Sequence, residues 1–238
     1  MQEFLETAVK VAKLAGDRLR EISERRVNSD AGNDVKLQED VETDIPVVGE
    51  EQGGDPDVLK SEKLYWIVDP IDGTYNYLRS IPGVCVSIAL MKGWNPVVGA
   101  IYDFTRGELF AGGKDLPLTL NGAEITPAWA SEVGQAVLMT GFPSATDYSS
   151  ENLSKFVMSA QKFKKVRMCG SAALAMAWVA CGRADSYKES RLYLWDVAAG
   201  LSLMESAHAA YELTPLKIKE KPFCIEIRAA KNREFFVD

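Results

Sequence analysis

Histidine is almost missing from this chain. His208 is the single one among 238 residues, so a multi-histidine metal centre cannot be assembled, and a Ser-His-Asp triad would have to use that one imidazole. Cysteine is scarce too. Cys85, Cys169, Cys181 and Cys224 form no C-x-x-C pair, which argues against a zinc knuckle or a disulfide scaffold and suits a reducing compartment. None of them opens a C-x-x-x-x-x-R segment, so a cysteine-phosphatase loop is excluded. A cationic surplus is also lacking. Lys and Arg number 27 against 34 Asp and Glu, for a net charge of -7 and a pI near 5.0, which speaks against a nucleic-acid partner. Met1-Gln2-Glu3 opens acidic rather than basic, unlike a signal peptide. The longest apolar run, Ser171 to Cys181, is too short to cross a bilayer. No membrane partner and a cytoplasmic location are therefore expected. Any chemistry has to run on carboxylates and hydroxyls.

What is present reads as an ordinary globular chain, 47% hydrophobic and 26% charged, long enough for one large domain or two intimate halves. There is no repeat, low-complexity tract or flexible linker. A seam near Pro127 to Val133 suggests an N-terminal half, residues 1–128, and a C-terminal half, residues 129–238. The apolar period of Leu5, Ala8, Val9, Ala12, Ala15, Leu19 and Ile22 predicts an amphipathic helix over residues 2–26, with acids early and arginines late as the helix dipole prefers. Strands are expected at Val47-Val48, Tyr65–Val68, Val84–Met91, Val97–Tyr102, Glu108–Ala111 and Phe223–Arg228. Ser171–Cys181, closed by Gly182, and Trp195–Glu205 predict two buried helices. Met168, Met176 and Met204 read as core filler. His208 is assigned a structural or exposed role, and Trp66 and Trp195 a packing role.

The acids carry the chemistry. From Leu37 to Leu59 there is no Lys or Arg, yet eight carboxylates occur; most of such a run is solvated loop. Glu50 and Glu51 differ, because an apolar pair and a glycine deliver them from the interior. The segment WIVDPIDGTYNYL, residues 66–78, repeats that arrangement with Asp69 and Asp72. Carboxylates emerging side by side at strand ends repel one another, and a hard divalent cation with oxygen ligands is the natural relief. Pro70 fixes the backbone so that Asp69 and Asp72 straddle a tight bend. Gly73 lets a phosphate approach backbone N–H groups, and Thr74 to Leu78 is expected to open a helix whose N-terminus favours an anion. Two look-alikes fail on spacing. An EF-hand loop needs acids at positions 1, 3 and 5, and the haloacid-dehalogenase phosphatases place D-x-D-G-T where this chain has D-P-I-D-G-T.

With those residues in place, the chain resembles the inositol monophosphatase family of lithium-sensitive, magnesium-dependent sugar and nucleotide phosphatases. Gly49-Glu50-Glu51 is similar to its G-E-E, and Trp66 to Tyr77 to W-x-x-D-P-x-D-G-T-x-N-F with tyrosine last. Gly170 to Ala173 resembles G-[ST]-A-A, and Trp195 to Gly200 resembles W-D-x-A-A-G. The resemblance implies a layered α-β-α-β-α sandwich, an α/β fold, and a homodimer. It implies two Mg2+ ions, with Glu50, Asp69 and the Ile71 carbonyl at the first and Asp69, Asp72 and Asp196 at the second. It further implies that Glu50 and Thr74 activate water, that the Gly73 and Thr74 backbone cradles phosphate, and that Glu189 with Gly170, Ser171 and Ala172 meets the substrate. Asp40 resembles the acid that helps hold a third, weaker ion. The stretch from Asp40 to Glu50 is roughly a dozen residues shorter than the family pattern, Ser29 replaces a customary lysine, and Ala207-His208-Ala209 replaces a glycine pair.

The implied activity is Mg2+-dependent hydrolysis of inositol monophosphate or a similar small polyol or sugar phosphate. The family's alternatives are a 3'(2'),5'-bisphosphate nucleotidase, a fructose-1,6-bisphosphatase or a histidinol-phosphatase. Tyr75-Asn76-Tyr77 and Ala172-Ala173-Leu174 lack the lysines of the nucleotide-cleaving pattern, which favours the polyol branch. Lys188 and Arg191, beside Glu189, could meet a second anionic group or form a solvated basic pair. A regulatory or binding partner built on the phosphatase scaffold is the reading from another class.

Overall fold

The computed structural model describes residues 1–22, 45–51, 53–142 and 146–237. Helix α1, Gln2–Glu21, turns its buried Leu5, Ala8, Val11, Ala12, Ala15 and Leu19 toward a sheet. The helix ends sooner than the expected residue 26: Ile22 is already extended, with φ -69° and ψ 113°, and residues 23–26 lie outside the described residues. The backbone carbonyl of Leu19 accepts the Tyr77 hydroxyl at 3.1 Å, which satisfies one of the carbonyls that a helix end leaves open.

That sheet has seven strands in sequence order: β1 Val47–Gly49, β2 Leu64–Asp72, β3 Cys85–Lys92, β4 Asn95–Asp103, β5 Glu108–Gly113, β6 Leu116–Leu120 and β7 Ala123–Glu124. β1 runs parallel to β2, and the other pairs are antiparallel. Alternation splits its two faces. Trp66, Val68, Val86, Ile88 and Leu90 join the core under α1, while Tyr65, Ile67, Cys85, Ala89 and Met91 face the opposite way. Both faces are covered, which is why β2 and β3 read as near-continuous apolar runs rather than as an apolar–polar alternation.

The second face meets helices α4, Ala172–Ala180, and α5, Leu194–Ser206; α2, Thr74–Arg79, and α3, Ser150–Ala160, precede them in the chain. α4 is apolar all round, as befits a helix packed between two sheets. Beyond it lies a five-stranded sheet in the order β11-β12-β10-β8-β9, formed by β8 Val137–Thr140, β9 Lys165–Arg167, β10 Ser186–Tyr193, β11 Ala210–Pro215 and β12 Cys224–Ala230. Ala160 of α3, with Phe156, packs against Leu138 and Ala230 on its outer side. The layers are therefore helix, sheet, helices, sheet, helix: the α/β sandwich expected from the sequence.

Two expectations need correction. β2 does not stop at Val68 but runs to Asp72, because a backbone irregularity absorbs Pro70 without ending the strand. Met168 is not core filler: it is 50% exposed, whereas Met176 and Met204 are fully buried. All four cysteines are free. Among the described residues no helix is long and apolar enough to cross a membrane.

Candidate active site

Strand pairing assembles the acids. In the parallel β1–β2 pair Gly49 lies opposite Val68, and the Glu50 N–H reaches the Val68 carbonyl at 3.3 Å, so Glu50 arrives beside Asp69. On β2, Asp69 and Asp72 are three apart and would face opposite sides of a regular strand. The register shift between them pairs Asp69 with Ser87 and Asp72 with Cys85, and Ser87 and Cys85 share one face of β3. One extra residue thus returns both carboxylates to the same side, as a β-bulge does. Pro70, with no N–H to lose, sits inside the bulge. The expected bend is therefore a bulge within a continuing strand.

The chosen face looks toward α4 and α5. Asp72 Oδ2 accepts the Ser171 hydroxyl at 2.6 Å and the Ala173 N–H at 2.7 Å, which seats a carboxylate on the N-terminus of α4 where the helix dipole favours it. Ser171 caps that helix as well, accepting the Leu174 N–H at 3.2 Å. Asp196 is the third residue of α5, and its Oδ2 accepts the Tyr193 N–H at 2.7 Å, as in a capping box. Trp195 stacks on Tyr193 with ring centres 4.7 Å apart, which fixes the backbone beside Asp196. Trp66 is fully buried against Phe4, three residues before Asp69.

The hinge of the segment is Gly73. Its φ is +87°, and a Cβ there would lie 2.5 Å from the Gly83 carbonyl oxygen, so only glycine fits. Thr74 opens the six-residue α2 and donates its hydroxyl to the Ile71 carbonyl at 2.9 Å. Asn76 has a role that the sequence does not announce. Its side-chain amide donates to the Gly83 carbonyl at 2.9 Å and the Cys169 carbonyl at 2.7 Å, tying the segment after β2 to the loop before α4. The signal was the motif's own asparagine, but a tie to residue 169 has no local signature.

Glu50, Asp69, Ile71, Asp72, Gly73, Thr74, Gly170, Ser171, Ala172, Glu189 and Asp196 line one cavity of about 500 Å3. Asp40 lies outside the described residues. Glu51 is exposed beside the cavity, His208 is exposed after α5, and Arg191 and Lys188 border a neighbouring cavity of about 970 Å3 instead.

Electrostatics makes this a site that resists being fully ionised. Burial raises the Asp69 carboxyl well above its usual range, and Asp72, Glu50 and Asp196 push it further. Asp196 is raised by burial, then by Asp72 and Glu50. Asp72 is raised by burial against the lowering effect of its Ser171 and Ala173 donors. Glu50 stands at the exposed lip, yet the protein wall behind it raises its pKa, as do Glu51 and Asp72. Glu189 is lifted to about 7 by burial.

Among the described residues, no three Asp, Glu, Cys or His side chains are grouped so as to hold a metal ion. The hydrogen bonds above account for part of this: Asp72 and Asp196 each commit an oxygen to a helix N-terminus, and Asp69 Oδ1 accepts the Ile71 N–H at 3.0 Å. The donor chemistry nevertheless fits a hard divalent cation: Glu50, Asp69, Asp72 and Asp196 repel one another next to backbone carbonyls, and no histidine is among the cavity's lining residues.

The inositol monophosphatase family model matches residues 1–211. The chain belongs to the inositol monophosphatase family. It is 32% identical to the inositol monophosphatase of Mesembryanthemum crystallinum over 87% of this chain and 84% of that protein. It is 38% identical to Nus factor SuhB of Xylella fastidiosa, over 69% of this chain and 58% of that protein; the matched stretch thus spans little more than half of that relative. The solved inositol monophosphatase from Anabaena (Nostoc) superposes with a TM-score of 0.83 at 34% identity, covering 97% of this chain and 91% of that one. Sequence family and fold are those of a phosphoric monoester hydrolase.

Proposed function

We propose that the protein is a Mg2+-dependent phosphomonoesterase acting on inositol monophosphate or a similar small polyol phosphate. The observation that carries this is the register shift in β2, which puts Asp69 and Asp72 on one face opposite Asp196 and next to Glu50. Glu50, Asp69, Asp72, Asp196 and the Ile71 carbonyl would hold two Mg2+ ions, with Asp40 contributing to a third. Bound there, the ions would supply charge neutralisation on the attacking and leaving oxygens and a lowered pKa for water.

The chain's own groups do the rest. Thr74 spends its proton on the Ile71 carbonyl, so its oxygen is free to accept a hydrogen bond from water and orient it, while Glu50 receives the proton as the water oxygen attacks phosphorus. The P–O bond to the polyol breaks on the opposite side, and the leaving oxygen is protonated from solvent. Gly73 and Thr74 present backbone N–H groups to the phosphate. The Glu189 carboxylate accepts hydrogen bonds from substrate hydroxyls, next to Gly170, Ser171 and Ala172. Residues 1–128 would supply most of the proposed metal ligands, and residues 129–238 Asp196 and the substrate side. A homodimer is the expected assembly, checked by light scattering on the purified protein.

The test is phosphate release from inositol 1-phosphate, 3'-phosphoadenosine 5'-phosphate, fructose 1,6-bisphosphate and histidinol phosphate, with Mg2+ and with EDTA. The proposal expects the highest kcat/KM for the inositol ester and none in EDTA. A preference for one of the other three would reassign the substrate branch. The similarity to a protein named Nus factor SuhB favours a second reading, a regulatory partner that keeps the scaffold. Absence of turnover on the whole panel would select it.

A further inference from the structure

Glu189 sits in a tight slot between Gly141 and Tyr187. β8 and β10 run parallel, and their pairing ends with Thr140 opposite Lys188, so the next residues, Gly141 after β8 and Glu189 within β10, stand side by side at the cavity wall. A Cβ on Gly141 would lie 2.3 Å from Glu189 Oε2 and 2.6 Å from both its Cδ and Oε1. Real Cβ contacts begin above 3 Å, so the carboxylate occupies space that any other residue at 141 would fill. From the other side the Tyr187 hydroxyl donates to Glu189 Oε2 at 3.0 Å. Tyr187 is two residues away on the same face of β10 and only 1% exposed, so its ring cannot swing to follow a displaced partner. The missing Cβ at 141 leaves room for the carboxylate, and the buried phenol ties its Oε2 with a hydrogen bond.

We propose that Gly141 and Tyr187 are positioning residues that aim the Glu189 carboxylate into the cavity and so set the preference for a leaving group rich in hydroxyls. This rests on the assignment of Glu189 to substrate hydroxyls made above. The chemistry is recognition of vicinal hydroxyl groups by a half-buried acceptor. An acceptor moved by an ångström loses such a bond, whereas an ester without ring hydroxyls never makes it.

The experiment compares kcat/KM for inositol 1-phosphate with that for p-nitrophenyl phosphate, which has no hydroxyl for Glu189 to read, in wild type, Gly141→Ala, Tyr187→Phe and Glu189→Ala. The backbone at Gly141 is not in the left-handed region, so alanine displaces the neighbour rather than straining the chain. The expected result is a fall of about tenfold in the ratio of the two kcat/KM values for Gly141→Ala and several-fold for Tyr187→Phe, mostly through KM for the inositol ester. A general loss of folding would lower both substrates together and leave the ratio unchanged, and that result in both variants overturns the proposal. If Glu189→Ala shifts the ratio while Gly141→Ala and Tyr187→Phe do not, only the positioning role falls. If Glu189→Ala, which leaves no acceptor at this position, leaves the ratio untouched, the hydroxyl-reading role falls first and the positioning role with it.

Discussion

Replacing Asp72 by asparagine keeps the side chain's shape and deletes one negative charge from a group of acids that already raise one another's proton affinity. Two effects oppose each other in the metal-free protein. Two unit charges about 5 Å apart at an effective dielectric near 20 repel by roughly 3 kcal/mol, and Asp72 acts on Asp69, Glu50 and Asp196. Against that relief, the bonds from Ser171 at 2.6 Å and Ala173 at 2.7 Å lose their charged acceptor, a cost of about 1–1.5 kcal/mol. Because the acids share protons, only part of the repulsion is present at neutral pH, and a net gain of about 1–2 kcal/mol remains. For a chain of this size that is a rise in Tm of about 2–8 °C in EDTA. The same variant should lose the stabilisation that Mg2+ gives the wild type, and its turnover of inositol 1-phosphate should fall by about two orders of magnitude or more. Calorimetry with EDTA and with Mg2+, beside a phosphate-release assay, reads all three. A metal-free Asp72→Asn that melts below wild type, or one that keeps Mg2+-dependent turnover within a few-fold, would refute the reasoning.

Other perturbations test separate parts of the structure. Asp69 and Asp196 have folded-state pKa values raised well above the ordinary range, so the folded protein holds protons that the unfolded chain releases, and metal-free stability should fall as pH rises from about 4 upward. Melting in EDTA from pH 5 to 8 should slope downward and flatten in Mg2+; an upward slope in EDTA would contradict it. Glu108 behaves oppositely: Arg183 grips it at 2.7 and 2.9 Å and holds its pKa near 2. Its contribution is present above the unfolded value near 4.5 and is lost as pH falls toward 2. Arg183 is 37% exposed, so solvent screening limits Glu108→Gln to about 1–2 kcal/mol, measured by urea denaturation at pH 7, with the difference from wild type vanishing near pH 2. Asn76→Ala removes the amide shared by the Gly83 and Cys169 carbonyls and should cost about 2–3 kcal/mol while raising KM. A stability change below 0.5 kcal/mol would show the tie to be idle.

How much of this was legible beforehand follows the range of each interaction. α1, α4, α5 and strands β1 to β5 of the first sheet announce themselves through apolar runs and periodicity, a local property. β6 to β11 give no comparable signal: β6, β7, β9 and β11 are short or half-exposed, with alternation too weak to separate from loop. β10 carries Lys188, Glu189, Ser190 and Arg191 in mid-strand, where cavity walls replace core packing. Met168 looked apolar enough for the interior, yet it follows β9 at the rim of the cavity, a position no periodicity encodes.

The sequence by itself determined which side chains were available for chemistry: carboxylates and hydroxyls, one histidine, acids delivered by apolar runs, and motifs whose order named the family. Only the tertiary structure decided that Asp69 and Asp72 face the same way, because the bulge at Pro70 is defined by pairing with β3. It alone set Asp72 on the N-terminus of α4 and pressed Glu189 against Gly141, since those partners are distant in the chain and meet only when the two sheets close on the helices between them.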